Sequence, residues 1–322
     1  MYIEEGALGY PAAIRVLEKL PKAVRINVSH YKEVFCRKGQ QYSVQKASPK
    51  LILAVQTKFL RPGSPMCEDY GRARFHYATQ TMNCPYDCEY CFLSGMYPSA
   101  NAVLFVNTRD YFRHIAESGL LPMRLSLSLD GDMLATEGLH GFAGEWIGFC
   151  RENPGLTVEI RTKSDHKADF GKPIDNVVFA FTLSPDDIIA KYERRAPCLD
   201  ARLGAALCAA QAGWRVRLCV DPVIKTENWR DSYSDMAVKT RAVLDGKGLK
   251  NINVSVGAFR ATEDVFKKMT KSRPDSWLLS QGFVKSQKCG VSYMNYPDEG
   301  LITGFIYSLF DGFAQHEADG LV

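Results

Sequence analysis

Several things are missing from this sequence, and each absence narrows the field. No apolar run reaches the roughly 18 residues that a membrane-spanning helix needs. The opening Met1-Tyr2-Ile3-Glu4-Glu5 is too acidic for a secretion signal. No low-complexity tract, internal repeat or evident linker divides the chain. Net charge is only +4 over 322 residues, so a polyanionic partner would be met by a local basic patch rather than by the field of the whole surface. Ten cysteines occur, but without a secretion signal they argue for reduced thiols rather than a disulfide framework. Together these absences predict an intracellular globular protein, in keeping with 46% hydrophobic and 24% charged residues.

What is present centres on Asn83-Cys84-Pro85-Tyr86-Asp87-Cys88-Glu89-Tyr90-Cys91-Phe92. The spacing CxxxCxxC, followed by an aromatic, suits a [4Fe–4S] cluster held at three of its four irons. Cysteine thiolates are the usual cluster ligands, so three leave one iron open, where S-adenosylmethionine (SAM) can chelate. A structural zinc site would want four ligands, usually as two CxxC-like pairs, and no second pair exists.

Along the chain, residues 1–75 read as an N-terminal extension. A short helix is expected over Tyr10–Leu20, with strands over Ala23–Val28 and Leu51–Thr57. The intervening Lys32, Arg37, Lys38, Lys46 and Lys50 are expected on a solvated loop, with phosphate contact as the alternative. From His76 strand-like and helix-like runs alternate. The strands are His76–Thr81, Ala102–Val106, Arg124–Leu129, Thr157–Arg161, Val177–Leu183, Arg215–Val220 and Ile252–Val256. Helices are expected over Arg109–Ser118, Gly138–Glu152, Leu199–Ala212, Ser232–Leu244 and Glu263–Thr270. The pattern predicts an α/β fold with a partial (β/α)6 barrel over residues 76–275 and its chemistry at the C-terminal strand ends. Residues 276–322 read as a hairpin turning near Gly290 and a closing apolar helix over Leu301–Phe313. Lys285, Lys288, Tyr293 and Tyr296 on the hairpin pair cations with stacking surfaces, a combination that suits nucleic acid. Packing of these aromatics onto the barrel is the alternative.

The cysteine loop, His76-Tyr77-Ala78-Thr79, Phe105-Val106-Asn107, Glu193-Arg194-Arg195-Ala196-Pro197 and Leu199-Asp200-Ala201-Arg202 resemble the spore photoproduct lyases of the radical-SAM superfamily. So do the terminal hairpin and helix. The resemblance implies a DNA-repair lyase of the spore cytoplasm. Such an enzyme uses a 5′-deoxyadenosyl radical to reverse a thymine dimer, spore photoproduct, to two thymines. It implies [4Fe–4S] and SAM as cofactors, with Cys84, Cys88 and Cys91 on the metal and Phe92, Asp132, Lys163, Thr182 and Ser184 as SAM contacts. Expected partners are damaged duplex DNA, met by Arg260, Lys285, Lys288 and Tyr293 around a flipped lesion, and a low-potential electron donor; the chain is expected to be a monomer.

One departure matters. Many members of the family carry a hydrogen-donor cysteine at the end of the strand after the first barrel helix, where this chain has Leu129. Leucine has no labile hydrogen with which to quench a thymine radical. Cys150, Cys208 and Cys219 read as small buried hydrophobes, Cys36 as a loop residue and Cys198 as a residue at a helix start. Cys67 lies in the irregular segment before the first barrel strand, a natural place for a reactive thiol. Resemblance to a branch of the family that relocates the donor to such an upstream cysteine, paired with the tyrosine inside the cluster motif, makes Cys67 the preferred donor with Tyr90 as a relay. Cys289, on the hairpin, is its rival. Phe92 replaces a tyrosine often found after the third cysteine, so no second phenol is available. Two other functions stay open at this point: the same radical chemistry on a different substrate, and a cluster serving a redox or structural role in a DNA-binding protein.

Overall fold

The structure is a computed structural model and describes residues 1–63, 74–167, 170–244, 252–288 and 290–315. Six apolar runs become parallel strands lying side by side in chain order: Arg74–Tyr77, Met123–Ser126, Leu156–Thr162, Val177–Thr182, Arg215–Val223 and Ile252–Ala258. A strand covered on both faces is mostly apolar, which explains the runs; every residue of Val177–Thr182 is buried, and the charged Glu159 and Arg217 buried in neighbouring strands pair with each other. Arg61–Pro62 pairs antiparallel at one edge and Ala314–Gln315 pairs parallel at the other. Among the described residues the edges do not pair with each other, so the sheet is an open, partial barrel.

The crossovers include helices over Thr108–Glu117, Phe142–Glu152, Leu199–Gln211 and Trp229–Leu244. No helix lies between Leu156–Thr162 and Val177–Thr182 among the described residues. The single helix expected over 138–152 is two, Glu137–His140 and Phe142–Glu152. Gly141 breaks it in the left-handed region with φ 75°, a conformation that costs glycine little. The Glu137 carboxylate then accepts the Ala143 and Gly144 N–H groups at 3.0 and 3.2 Å, satisfying donors that the new helix start leaves open.

Two expectations need correction. Ala102–Phe105 does not enter the barrel. It joins a second sheet in the order Ile26–Val28, Tyr2–Glu4, Leu51–Ala54, Ala102–Phe105, Thr81–Met82, which draws strands from both sides of residue 75. Four apolar residues announce burial but not which sheet offers a free edge. The basic region is not uniformly a solvated loop either. It forms short helices over Lys32–Phe35 and Tyr42–Gln45, and Lys46 is only 3% exposed.

The C-terminal region carries a three-stranded antiparallel sheet of Arg260–Thr262, Val291–Asn295 and Val284–Lys288, turning at Gly290 with φ 78°. Glu299–Leu309 closes the chain's described helices.

Candidate radical-SAM active site

The cysteine loop is held by its own charged residues. Asp87 pairs with Arg273, and Glu89 accepts from Ser276 Oγ at 2.5 Å. Asp87–Cys88 pairs antiparallel with Glu193–Arg194, and the Glu89 N–H reaches the Tyr192 carbonyl at 2.8 Å. Asn83 stands before the first cysteine in the left-handed region with φ 62°. Its side chain donates to the Ser99 and Asn101 carbonyls, both at 2.8 Å, and accepts the Tyr42 hydroxyl at 2.9 Å. Gly131 runs beside it; a Cβ there would stand 2.7 Å from both the Asn83 carbonyl and Thr81 Oγ1. The loop thus has a prepared bed formed by both sheets.

Cys88 is buried, whereas Cys84 and Cys91 are partly exposed. As free thiols Cys84 and Cys88 are held protonated by burial, Cys88 up to about 12 against the pull of the Lys163 charge. Thiolate ligation therefore releases protons, as metal binding to cysteine does generally. No set of three His, Cys, Asp or Glu side chains converges on a single ion among the described residues.

Behind the loop sits a charge network that the sequence reading did not assemble. Glu193, 1% exposed, accepts from the Tyr90 hydroxyl, from Ser184 Oγ at 2.6 Å and from Arg202, with Lys163 Nζ at 3.6 Å. Lys163 Nζ also lies 3.0 Å from the Tyr90 oxygen. Burial pushes the Glu193 carboxyl up, but the charges of Lys163 and Arg202 overcome it and hold it at about 2. Burial, with the neighbouring Glu193 charge, keeps the Tyr90 phenol protonated well above its ordinary range. Glu193 and Arg202 lie in the sequence blocks that carry the family resemblance. An acid followed by two arginines reads as a solvated run until the fold brings it to Tyr90, 103 positions away.

The expected SAM contacts gather at adjoining strand ends. Asp132 braces this corner, accepting Thr162 Oγ1 at 2.7 Å, the Lys163 N–H at 2.8 Å and the Ala135 N–H at 3.1 Å; burial raises its carboxyl in spite of these bonds. Thr182 is buried and gives its carbonyl to Arg202 Nη1 at 3.1 Å. Phe92 is half-buried against the core and starts the short Leu93–Met96 helix. The two cysteines expected as candidate donors, Cys67 and Cys289, lie outside the described residues. Of the other thiols, Cys150 and Cys219 are buried as expected, but Cys208 is exposed on the outer face of its helix, a correction; Cys36 and Cys198 are exposed too.

The expected nucleic-acid residues Arg260, Lys285, Lys288 and Tyr293 all lie on the three-stranded C-terminal sheet. Arg260 Nη1 binds Asp221 at 3.2 Å and Lys285 pairs with Glu263 at 2.7 Å. Tyr296 is not a stacking surface: it is buried, with its ring 4.8 Å from Phe283 and its hydroxyl accepting the Lys225 N–H at 3.1 Å. Tyr293 is partly exposed and Lys288 exposed. A groove of about 670 Å³ separates the hairpin from the Glu263–Ser272 helix, lined by Phe266, Lys267, Lys271, Pro274, Lys285 and Met294.

An open six-stranded barrel with three thiols on the loop after its first parallel strand, facing polar residues at the neighbouring strand ends, defines a radical-SAM enzyme. The chain belongs to the spore photoproduct lyase family, whose model matches residues 1–298; its members are lyases that use SAM and a [4Fe–4S] cluster. It is 23% identical over 274 residues to the spore photoproduct lyase of Geobacillus sp. (strain Y412MC61), covering 82% of this chain and 79% of that one. To the spore photoproduct lyase of Bacillus subtilis (strain 168) it is 23% identical over 291 residues, covering 86% and 83%. In fold it is similar to a spore photoproduct lyase mutant with bound AdoMet and dinucleoside spore photoproduct, with a TM-score of 0.81, 20% identity and coverage of 98% and 96%. The family match leaves the different-substrate and non-enzymatic alternatives unfavoured. No helix among the described residues is long and apolar enough to cross a membrane.

Proposed function

We propose that this chain reverses spore photoproduct in duplex DNA of the spore cytoplasm, with Cys84, Cys88 and Cys91 as the cluster ligands. The observation that carries the reading is the meeting of three cysteines on one braced loop with Lys163, Thr182 and Ser184 at adjoining strand ends. When bound, cluster and SAM together supply the 5′-deoxyadenosyl radical that takes a hydrogen from the lesion. The protein's part is placement. Lys163 and Ser184 are fixed through Glu193, Asp132 holds the turn that carries Lys163, and Phe92 offers an aromatic face beside the third cysteine. Cys67 gives a hydrogen atom to the substrate radical and Tyr90 relays one, its phenol kept neutral and therefore still bearing O–H; Cys289 is the second donor position. Arg260, Lys285, Lys288 and Tyr293 meet the DNA. A low-potential one-electron donor completes the cycle, and the chain acts as a monomer.

The test is anaerobic reconstitution with iron and sulfide, followed by SAM, dithionite and an oligonucleotide bearing the lesion. Recovery of thymine is expected. SAM cleavage without thymine recovery would remove the substrate assignment. Cys67→Ala should accumulate misquenched products; clean repair by that variant alongside misquenching by Cys289→Ala would transfer the donor role to Cys289.

A further inference from the structure

Lys46 is a buried cation with no anionic partner among the described residues. Its ammonium donates to the carbonyl of Cys84 and lies 5.9 Å from the Tyr42 ring centroid. No ion pair among the described residues involves it, although the side chain is almost wholly inaccessible. An ammonium taken out of water and given only neutral acceptors is costly, and such groups persist where a charge offsets them.

The position is built rather than incidental. The Tyr42–Gln45 turn places Tyr42 and Lys46 on the cysteine loop together, Tyr42 through Asn83 and Lys46 through Cys84. From the other side Arg195 donates to the Lys46 and Ala47 carbonyls at 2.9 and 3.4 Å. Arg195 itself is in the left-handed region with φ 66°, directly after the Glu193–Arg194 strand that pairs with Asp87–Cys88. Segments on both flanks of the loop therefore hold one lysine against the backbone of its first cysteine.

We propose that Lys46 is the counter-charge of the iron–sulfur cluster and raises its reduction potential, an assignment that rests on Cys84, Cys88 and Cys91 being the ligands. A cluster bound by three thiolates is net negative, and reduction adds one more negative charge. A fixed cation beside a ligand's backbone favours the reduced form over the oxidised one, and net charge and hydrogen bonding around the sulfurs are what set such potentials. One electron enters from a low-potential donor, and no bond to Lys46 forms or breaks.

The test is an EPR-monitored redox titration of reconstituted wild type, Lys46→Arg, Lys46→Gln and Lys46→Met. Lys46→Gln keeps a donor for the Cys84 carbonyl and drops the charge. At a fixed donor potential its reduced-to-oxidised ratio should fall about tenfold, which for one electron is about 59 mV, while Lys46→Arg stays close to wild type. Lys46→Met should fall at least as far, and in the iron-free protein its Tm should rise, because there the cation has no anion to serve. If Lys46→Met holds no cluster, Lys46→Gln carries the comparison. Unchanged potentials in the charge-free variants overturn the proposal and leave the ligand assignment standing. Failure of wild type to bind iron at all overturns the ligand assignment first.

Discussion

The cysteine loop and the C-terminal hairpin are both short features, yet they are held in opposite ways. Around the loop, Glu193, Arg202, Lys163, Tyr90, Asp132 and Lys46 are buried or nearly so, and each is tied to at least one of the others or to the loop backbone. On the hairpin, Val284–Lys288 is mostly exposed and its lysines reach solvent or a single surface partner. A low-dielectric network is all-or-none, because removing one member leaves its partners buried and unsatisfied. A solvated strand contributes in increments screened by salt. Radical chemistry needs the first arrangement, since a misplaced donor lets the radical react elsewhere. Meeting a distorted duplex needs the second.

That contrast is most sharply broken by removing a cluster thiol. Cys84→Ala, Cys88→Ala and Cys91→Ala should each hold no stable cluster and show no thymine recovery, checked by iron and sulfide content. Next in size is Glu193→Ala, which would leave Lys163 and Arg202 buried together without their anion. Breaking a buried pair in this way costs about 3–5 kcal/mol, to be read as a fall in Tm of the iron-free protein, and Glu193→Gln should cost less. The same carboxyl predicts acid sensitivity. It is held at about 2 in the fold against an ordinary value of 4.5, so the folded state binds the proton less readily than the unfolded chain. Its contribution is complete above pH 4.5 and is lost as pH falls toward 2. Urea titrations across that window should show a steeper loss for wild type than for Glu193→Gln. A smaller effect is expected from Gly131→Ala, whose new Cβ would meet the Asn83 carbonyl and Thr81 Oγ1. Overpacking of this kind costs about 1–3 kcal/mol, and the variant should also hold less iron than wild type after reconstitution.

How much of this was legible from the sequence follows the same division. The alternation of apolar runs announced the six barrel strands because strands buried on both faces can be little else, and the thiol spacing announced the cluster because three ligands lie within eight residues. Local turns were readable too, as at Gly290. What stayed hidden depends on closure between distant segments. Glu193 becomes a buried acceptor only when Glu193–Arg194 pairs with Asp87–Cys88. Lys46 looked like one of five surface cations until the Tyr42–Gln45 turn met the Cys84 carbonyl. Ala102–Phe105 carried the right apolarity but no sign of which sheet it would complete. Burial of charge is a tertiary property, and a single run of residues does not carry it.

The hairpin sharpens the contrast from its weaker side. Strand residues alternate between faces, and the register pairs Ser286 with Tyr293, Lys288 with Val291 and Lys285 with Met294. Lys288 and Tyr293 therefore share one face, while Lys285 points with Met294 toward the groove beside Glu263–Ser272, where its ammonium already pairs with Glu263. If the Lys288 face meets DNA, Lys288→Ala should weaken binding to a lesion-bearing duplex severalfold and lower the slope of log K against log salt by about one. Tyr293→Ala should weaken it by about 1–3 kcal/mol if a base stacks there, with little change in the salt slope. Lys285→Ala should do less than either, since exchanging a surface ion pair for nothing is worth about 0–1 kcal/mol. Fluorescence anisotropy at several salt concentrations orders the three. A salt slope that falls with Lys285→Ala and not with Lys288→Ala would turn the hairpin over and place the DNA along the groove.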